Sequence, residues 1–173
     1  MKRLTPNLVA AALTVFAPLT GFAQSEPRPG LSESFGDWQV GCQQTGGDVI
    51  CTMAQDVRRS ESSDRLVGVR IDTAGPDQPA RLSLIVPLGI DVAVPLELYR
   101  GVEADAFRTA QTRICQQVGC YAFLPVDDTF RNAVRDQTTL RVRMVPFRGT
   151  TFEAPISLRG FENALERLME FRE

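Results

Sequence analysis

The four cysteines are the residues whose spacing says most about possible chemistry. They lie at Cys42, Cys51, Cys115 and Cys120. Thiol–disulfide enzymes usually carry a reactive thiolate in a Cys-x-x-Cys motif, whereas these cysteines form Cys-x8-Cys and Cys-x4-Cys pairs. An even set of cysteines in an exported chain indicates structural disulfides. We therefore expect sulfurs that hold the fold, with thiol–disulfide exchange as an alternative function.

The turn residues between the cysteines favour local pairing. Cys42 and Cys51 lie symmetrically about Gly46-Gly47, which suits a two-residue hairpin turn and places the two cysteines opposite each other. Opposed Cα atoms at a non-hydrogen-bonded position are about 4.5 Å apart, which a disulfide can span. Cys115 and Cys120 enclose the turn sequence QQVG, whose glycine can adopt a positive φ. The alternative is a bond between sheets, such as Cys42 to Cys115.

The missing residue types exclude several reaction classes. The sequence has no histidine, so it lacks the commonest metal ligand and the base of Ser-His-Asp triads. Its only lysine is Lys2, which leaves no lysine for Schiff-base or P-loop chemistry once the N-terminus is removed. We expect no metal, no cofactor and no catalytic residue.

One enzymatic alternative survives these exclusions. A hydrolase with two carboxylates needs no histidine, and the neighbours Asp127 and Asp128 are the obvious pair. Both lie at the start of a predicted short helix over 127–136, where acidic side chains stabilise the free N–H groups. Helix capping is therefore the preferred explanation of this pair.

The N-terminal segment predicts export. Lys2 and Arg3 precede an apolar run that ends in small residues, as in a secretory signal peptide covering 1–23. Cleavage near Ala23 would leave a chain with no segment long enough to span a bilayer. The first cysteine lies too far from this cut to carry a lipid. We expect a periplasmic protein, or one that is secreted or associated with the outer envelope.

The remaining chain is long enough for one domain. Residues 24–34 are rich in Pro, Ser and Glu and predict a flexible lead-in, and a single domain is expected over 35–171. Two of the 19 basic residues lie in the leader, so the processed chain would carry 17 arginines against 21 acids. This negative balance disfavours nucleic acid as a partner. The expected partner is an unidentified envelope or host protein.

Apolar and polar residues alternate over short runs that are separated by turn residues, which predicts antiparallel strands in a sandwich or barrel. These runs are 67–71, 82–86, 94–98, 140–144 and 152–158. A second helix, beginning at Phe161, has one apolar stripe and is expected to pack on the sheets. The predicted hairpin places Trp38 on one face with the sulfurs of Cys42 and Cys51, which indicates a core anchor rather than a ligand site.

Arginines provide the candidate binding residues. Arg58 and Arg59 lie in the polar segment Asp56–Arg65, which is expected to be a loop that joins two strands at one end of the sandwich. The alternative is a loop that is merely solvated. Arg141 and Arg143 alternate outward from a strand, where ordinary solvation is favoured over an anionic-ligand site.

Four ordered motifs resemble one family of exported proteins. They are FGDWQVGC with a second cysteine nine residues on, IVPLGI, RICQQVGC and PISLRGFENAL. From about Phe35 to Leu168 the chain resembles the invasion-associated locus B family of Gram-negative bacteria. The resemblance implies an immunoglobulin-like antiparallel β-sandwich in the periplasm or at the outer envelope. It also implies a role in host-cell invasion if the source is a pathogen. The leader, the expected disulfide-linked sandwich and the missing catalytic side chains favour a non-catalytic binding or envelope-support module.

Overall fold

The computed structural model describes residues 31–45, 48–73, 79–103 and 105–171. The expected signal peptide, the first part of the expected lead-in and the Gly46-Gly47 turn lie outside these residues. The strands are β1 (Ser32–Phe35), β2 (Trp38–Thr45), β3 (Asp48–Arg58), β4 (Arg65–Asp72), β5 (Ala80–Val86), β6 (Leu96–Arg100), β7 (Arg108–Ala110), β8 (Thr112–Gln116), β9 (Gly119–Val126), β10 (Thr139–Met144) and β11 (Phe152–Ser157). The helices are α1 (Asp128–Val134) and α2 (Phe161–Glu170).

The strands form two antiparallel sheets, which confirms the predicted mainly β sandwich. The larger sheet has the order β1-β2-β3-β4-β5-β9-β8, and the smaller sheet has the order β11-β10-β6-β7. Alternating apolar residues of both sheets meet in one hydrophobic core. Helix α1 packs against β9, and α2 packs against β1, β2 and β3.

The predicted amphipathic stripe explains how α2 packs. Phe161, Ala164, Leu165 and Leu168 are buried, while Glu166 on the opposite side of the helix is exposed. No helix in the described part of the chain is both long and apolar enough to cross a membrane.

Two glycines allow two distant backbone segments to pack closely together just before α2 begins. Gly36 and Gly160 both have a positive φ, at 58° and 84°. A Cβ atom on Gly160 would lie 2.1 Å from the carbonyl oxygen of Phe35, and one on Gly36 would lie 2.4 Å from that of Arg159. Only glycine fits such an approach. The FGDW and RGF sequences therefore form one joint, which is closed by the Asp37–Arg159 ion pair at 2.5 Å.

Buried hydrogen bonds join the two sheets at the end of β11. The side chain of Gln55 lies on the core face of β3, where its amide nitrogen donates to the Ser157 carbonyl at 3.1 Å and its oxygen accepts from the Ser157 amide at 2.9 Å. Trp38 Nε1 donates to the same carbonyl at 2.9 Å, and the Trp38 side chain is 1% exposed. We call Trp38, Gln55 and Ser157 the inter-sheet cluster.

The structure corrects two expected boundaries. The last residues of the expected lead-in at 24–34 form β1, which is held by its backbone ladder to β2 and by the Glu33–Arg167 ion pair at 2.6 Å. The run expected from Val94 begins as a strand only at Leu96, because the Val94 amide closes a turn onto the Asp91 carbonyl at 3.2 Å.

Replacing Gln55 by leucine tests the inter-sheet cluster. Gln55→Leu keeps a side chain of similar size but leaves the Ser157 N–H and carbonyl with fewer buried partners, which should lower the free energy of unfolding by about 2–4 kcal/mol. Urea denaturation measures this loss. Gln43→Leu, at an exposed position of β2, is the control. It should change the free energy of unfolding by less than about 0.5 kcal/mol. Equal losses in the two variants would contradict a joining role for Gln55.

Candidate binding site

All four cysteines are paired, and both pairings are local as the turns predict. Cys42 bonds Cys51 with Cα atoms 4.0 Å apart, and Cys115 bonds Cys120 with Cα atoms 3.9 Å apart. Each disulfide joins directly opposed residues of neighbouring antiparallel strands. The Cys42–Cys51 bond is buried in the core, whereas Cys115 is exposed. The inter-sheet alternative of Cys42 with Cys115 is thereby wrong.

Asp127 caps α1 and Asp128 lies in its first turn, as the helix-capping explanation of this pair predicts. Asp127 caps α1 by accepting from the Phe130 amide at 2.8 Å, and it accepts two further hydrogen bonds from Arg108 at 3.0 and 3.1 Å. The bonds from Arg108, together with that from Phe130, hold the pKa of Asp127 below its ordinary value of 3.8 against a smaller opposing effect of burial. A general acid of a glycosidase needs a raised pKa. Asp127 is therefore an ionised structural residue.

Arg141 and Arg143 do point away from the core, but they are not free in solvent. Arg141 bonds Glu153 at 2.5 Å, and Arg143 bonds Glu153 at 2.9 Å and Glu97 at 3.3 Å. Both guanidinium groups lie over the ring of Tyr99, which is only 2% exposed, at 5.4 and 4.2 Å from its centroid. Existing partners thus occupy the groups that an anionic ligand would need.

The same cluster shifts the pKa values of its members in opposite directions. The hydrogen bond to Glu97, with burial, raises the pKa of Tyr99 above its ordinary value. Partial desolvation acts to raise the pKa of Glu153, but the hydrogen bonds from Arg143 and Arg141 together outweigh it and the pKa is lowered. Both groups therefore keep their neutral pH charge states, with Tyr99 neutral and Glu153 ionised.

Arg58 and Arg59 lie beside a groove at one end of the sandwich. The groove has a volume of about 520 Å³. Its polar lining is Arg58, Arg59, Asp64 and Arg65, and its apolar lining is Leu66, Pro87, Val118 and Phe152. We call it the hairpin groove, because the β3–β4 hairpin supplies the polar wall.

The hairpin is shorter than the loop expected over Asp56–Arg65. β3 continues to Arg58 and β4 begins at Arg65, so the connection covers only 59–64. The Arg59 amide donates to the Asp64 carbonyl at 2.9 Å, and the Arg58 guanidinium donates to the Ser63 carbonyl at 2.7 Å. These bonds fix the conformation of this wall of the groove.

The opposite wall is tied to the hairpin through Arg65. Its guanidinium donates to the carbonyl of Val118 at 2.7 Å, and Val118 lies in the turn that the Cys115–Cys120 bond encloses. Gly119 completes this turn at a φ of 140°, where a Cβ would lie 2.5 Å from the Val86 carbonyl. The Cys115–Cys120 disulfide therefore supports the groove. Arg65 ends the expected loop Asp56–Arg65, but sequence reasoning did not single it out, because its partner Val118 lies 53 positions away in the chain.

The groove carries an excess of positive charge. Three arginines and one aspartate line it. Asp56, just outside the lining, is the only carboxylate within 4.0 Å of Arg58 or Arg65 among the described residues, and it also contacts Arg70 at 3.1 Å. Arg59 has no ion pair in the described ranges. One carboxylate shared by three guanidinium groups leaves charge that an anion can neutralise.

These features define a class of protein, which is a disulfide-linked antiparallel β-sandwich with a preformed groove. The family profile described as "Invasion associated locus B (IalB) protein" matches residues 38–169. The chain belongs to this family.

Curated relatives and a solved structure agree with that assignment. The chain is 29% identical over 142 residues to Invasion protein B of Bartonella bacilliformis, covering 80% of this chain and 74% of the relative. It is 27% identical over 173 residues to an Invasion protein B homolog of Brucella abortus, covering 97% of each. The crystal structure of invasion associated protein B from Bartonella henselae matches with a TM-score of 0.72 and 26% identity, covering 82% of this chain and 97% of that one.

The first prediction for the site concerns Asp127 and acid stability. A carboxylate whose folded pKa is lowered stabilises the fold above its unfolded pKa and loses that contribution as the pH falls through the folded value. Asparagine caps a helix as well as aspartate but carries no charge with which to form an ion pair with Arg108. At pH 7 the free energy of unfolding of Asp127→Asn should therefore be about 1 kcal/mol lower than that of the wild type. As the pH falls below about 4, the variant should lose less stability than the wild type does.

Urea midpoints at pH 7, 4 and 2.5 would measure this difference. Asp128→Asn is the matched control, because Asp128 is exposed and makes no ion pair with other described residues. If Asp127→Asn and the wild type lost equal amounts of stability between pH 7 and pH 2.5, the ion pair with Arg108 would not contribute to the stability of the fold.

The second prediction concerns the order in which the disulfides are reduced. Exchange requires access of a thiolate to a sulfur atom, and Cys115 is exposed while Cys42 and Cys51 are 7% and 6% exposed. Under dilute dithiothreitol the Cys115–Cys120 bond should open first. Alkylation followed by peptide mass mapping measures the order. Equal rates of reduction for the two disulfides would contradict this order.

Proposed function

We propose that this chain is an exported, non-catalytic binding module whose hairpin groove holds an acidic, partly apolar segment of an envelope or host protein. The single observation that carries this proposal is the groove's lining, in which three arginines and one aspartate surround four apolar residues. Such a site offers charge-assisted hydrogen bonds to carboxylates and buried contacts to an apolar side chain.

The rigidity of the groove supports the same function. The hairpin bonds of Arg58 and Arg59 and the bond from Arg65 to Val118 hold both walls of the groove in place. A preformed site loses less conformational entropy on binding than a mobile loop does. Binding loops held by a rigid sandwich are a common arrangement in β proteins.

Two further observations support export and a contact with a host. Two disulfides persist best in an oxidising compartment, such as the periplasm or the cell surface. The relatives from Bartonella and Brucella carry names that refer to invasion. We propose that this chain leaves the cytoplasm through the signal peptide at 1–23 and contacts its partner at the envelope or beyond it.

Titration with a labelled peptide tests the groove. The probe alternates glutamate with leucine, and its control peptide has glutamine at each glutamate position. The wild type should prefer the glutamate peptide, and the Arg58→Ala/Arg59→Ala double variant should bind it roughly tenfold more weakly. Raising sodium chloride from about 0.05 to 0.5 M should weaken binding further, because exposed charges are screened. Fluorescence anisotropy gives the dissociation constants.

Arg135→Ala is the matched control for charge. Arg135 is an exposed residue that directly follows α1. Helix α1 follows the last residue of β9, whereas the groove lies beside the first residues of β9. Its removal should leave the affinity unchanged. Equal affinity for the two peptides, or a double variant that binds as the wild type does, would overturn the proposed function.

A further inference from the structure

Strand β8, at the edge of the larger sheet, has little contact with the core. Four of its five residues are exposed, and Thr112 is only partly buried. The strand pairs with β9, and a register shift between Thr112 and Ile114 interrupts that pairing. Segments with few buried side chains open locally at a low cost in free energy. The Cys115–Cys120 bond is therefore the main restraint on the second half of β8.

The two sides of the turn between β8 and β9 are held differently. On the β9 side, Gly119 and Cys120 are buried, and the backbone of Gly119 lies against the Val86 carbonyl of β5. On the β8 side, Gln116 and Gln117 are exposed. Loss of the disulfide would leave β9 in place and would free the β8 side of the turn.

Val118 connects this turn to the hairpin groove. It lines the groove, and its carbonyl accepts the hydrogen bond from Arg65. The Arg65 guanidinium also lies 4.0 Å from Asp56. Movement of the turn would displace an apolar residue of the wall and take the partner of Arg65 away. Both changes would leave the groove less preorganised for an acidic, partly apolar segment.

The Cys42–Cys51 bond lies in a different environment. Both of its cysteines are buried, and the strands that carry them, β2 and β3, have further neighbours in β1 and β4. A thiolate from solution reaches a buried sulfur less easily than an exposed one. Mild reduction can therefore be limited to the bond beside the groove.

We propose that the Cys115–Cys120 bond is a redox switch of the hairpin groove. The groove holds its ligand while the bond is formed and releases it when a dithiol reduces the bond. This inference rests on the proposed function, because the released ligand is the acidic segment that binds between the arginines. A protein that passes from an oxidising envelope into a reducing compartment would release its partner there.

The reduction is a two-electron thiol–disulfide exchange. A thiolate of the dithiol attacks the sulfur of the exposed Cys115, the bond to Cys120 breaks, and the Cys120 thiolate leaves and takes up a proton. The second thiolate of the reagent then attacks the reagent's own sulfur in the mixed disulfide and releases the Cys115 thiolate, which is also protonated. The dithiol is oxidised to a disulfide, and the protein gains two thiols.

Fluorescence anisotropy with the labelled glutamate–leucine peptide tests the switch. The protein is used oxidised, and again in dithiothreitol at a concentration where mass mapping finds Cys115–Cys120 open and Cys42–Cys51 intact. The reduced form should bind the peptide about fivefold more weakly than the oxidised form. Cys115→Ser/Cys120→Ser should bind as the reduced wild type does and should not respond to dithiothreitol.

Gln116→Ser/Gln117→Ser is the matched control, because it changes two exposed residues beside the bond and keeps the bond itself. Its affinity should equal that of the oxidised wild type. Hydrogen exchange gives a readout that needs no ligand. The amides of 112–118 should exchange faster after reduction, while those of β2 and β3 should keep their rates.

The outcomes separate the switch from the proposed function. Equal affinity of the oxidised and reduced forms for the peptide would overturn the switch and leave the proposed function intact. If the oxidised protein showed no preference for the glutamate peptide, the proposed function would fail. Unchanged hydrogen exchange over 112–118 after reduction would overturn the switch whether or not the peptide binds.

Discussion

The backbone of Ser157 is the point on which the arrangement of the two sheets depends. Gln55 pairs with both the N–H and the carbonyl of this residue, as a neighbouring strand would, and Trp38 adds a second donor to the carbonyl. Buried backbone groups must find partners, so these contacts fix how β11 meets β2 and β3. Only three residues separate Ser157 from the first residue of α2, so the same contacts decide where the helix covers the larger sheet.

The two disulfides hold shape at a shorter range. Each joins neighbouring strands, so each stabilises a hairpin rather than the union of the sheets. The Cys42–Cys51 bond adds both its sulfurs to the core beside Trp38, whereas the Cys115–Cys120 bond runs from the core at Cys120 to the exposed Cys115 and closes the turn whose carbonyl receives Arg65. Removing the second bond would therefore affect the hairpin groove more than the core. The two disulfides therefore stabilise two different hairpins of the larger sheet.

Two groups of arginines show why residue type alone does not identify a binding site. Arg141 and Arg143 lie on a central strand, where flanking strands supply Glu97 and Glu153 as direct partners and Tyr99 as a platform. Arg58 and Arg59 lie at a hairpin end, where Asp56 is shared by Arg58, Arg65 and Arg70. The difference in their carboxylate partners follows from the number of neighbouring strands and not from the sequence around them.

The sequence by itself determined the local features of this protein. Alternation, turn glycines and the even cysteines were enough to predict most of the strands, both helices and the local disulfides, because each depends on residues close together in the chain. Strand β1 was expected to be a flexible lead-in and β7 was not predicted. The inter-sheet cluster was not predicted, although Gln55 follows Cys51 and Met53 at the spacing of the core face, since its partner lies 102 positions away. The hairpin groove was also decided only by tertiary structure. It depends on which strands become neighbours, and that order is set by packing across the whole chain.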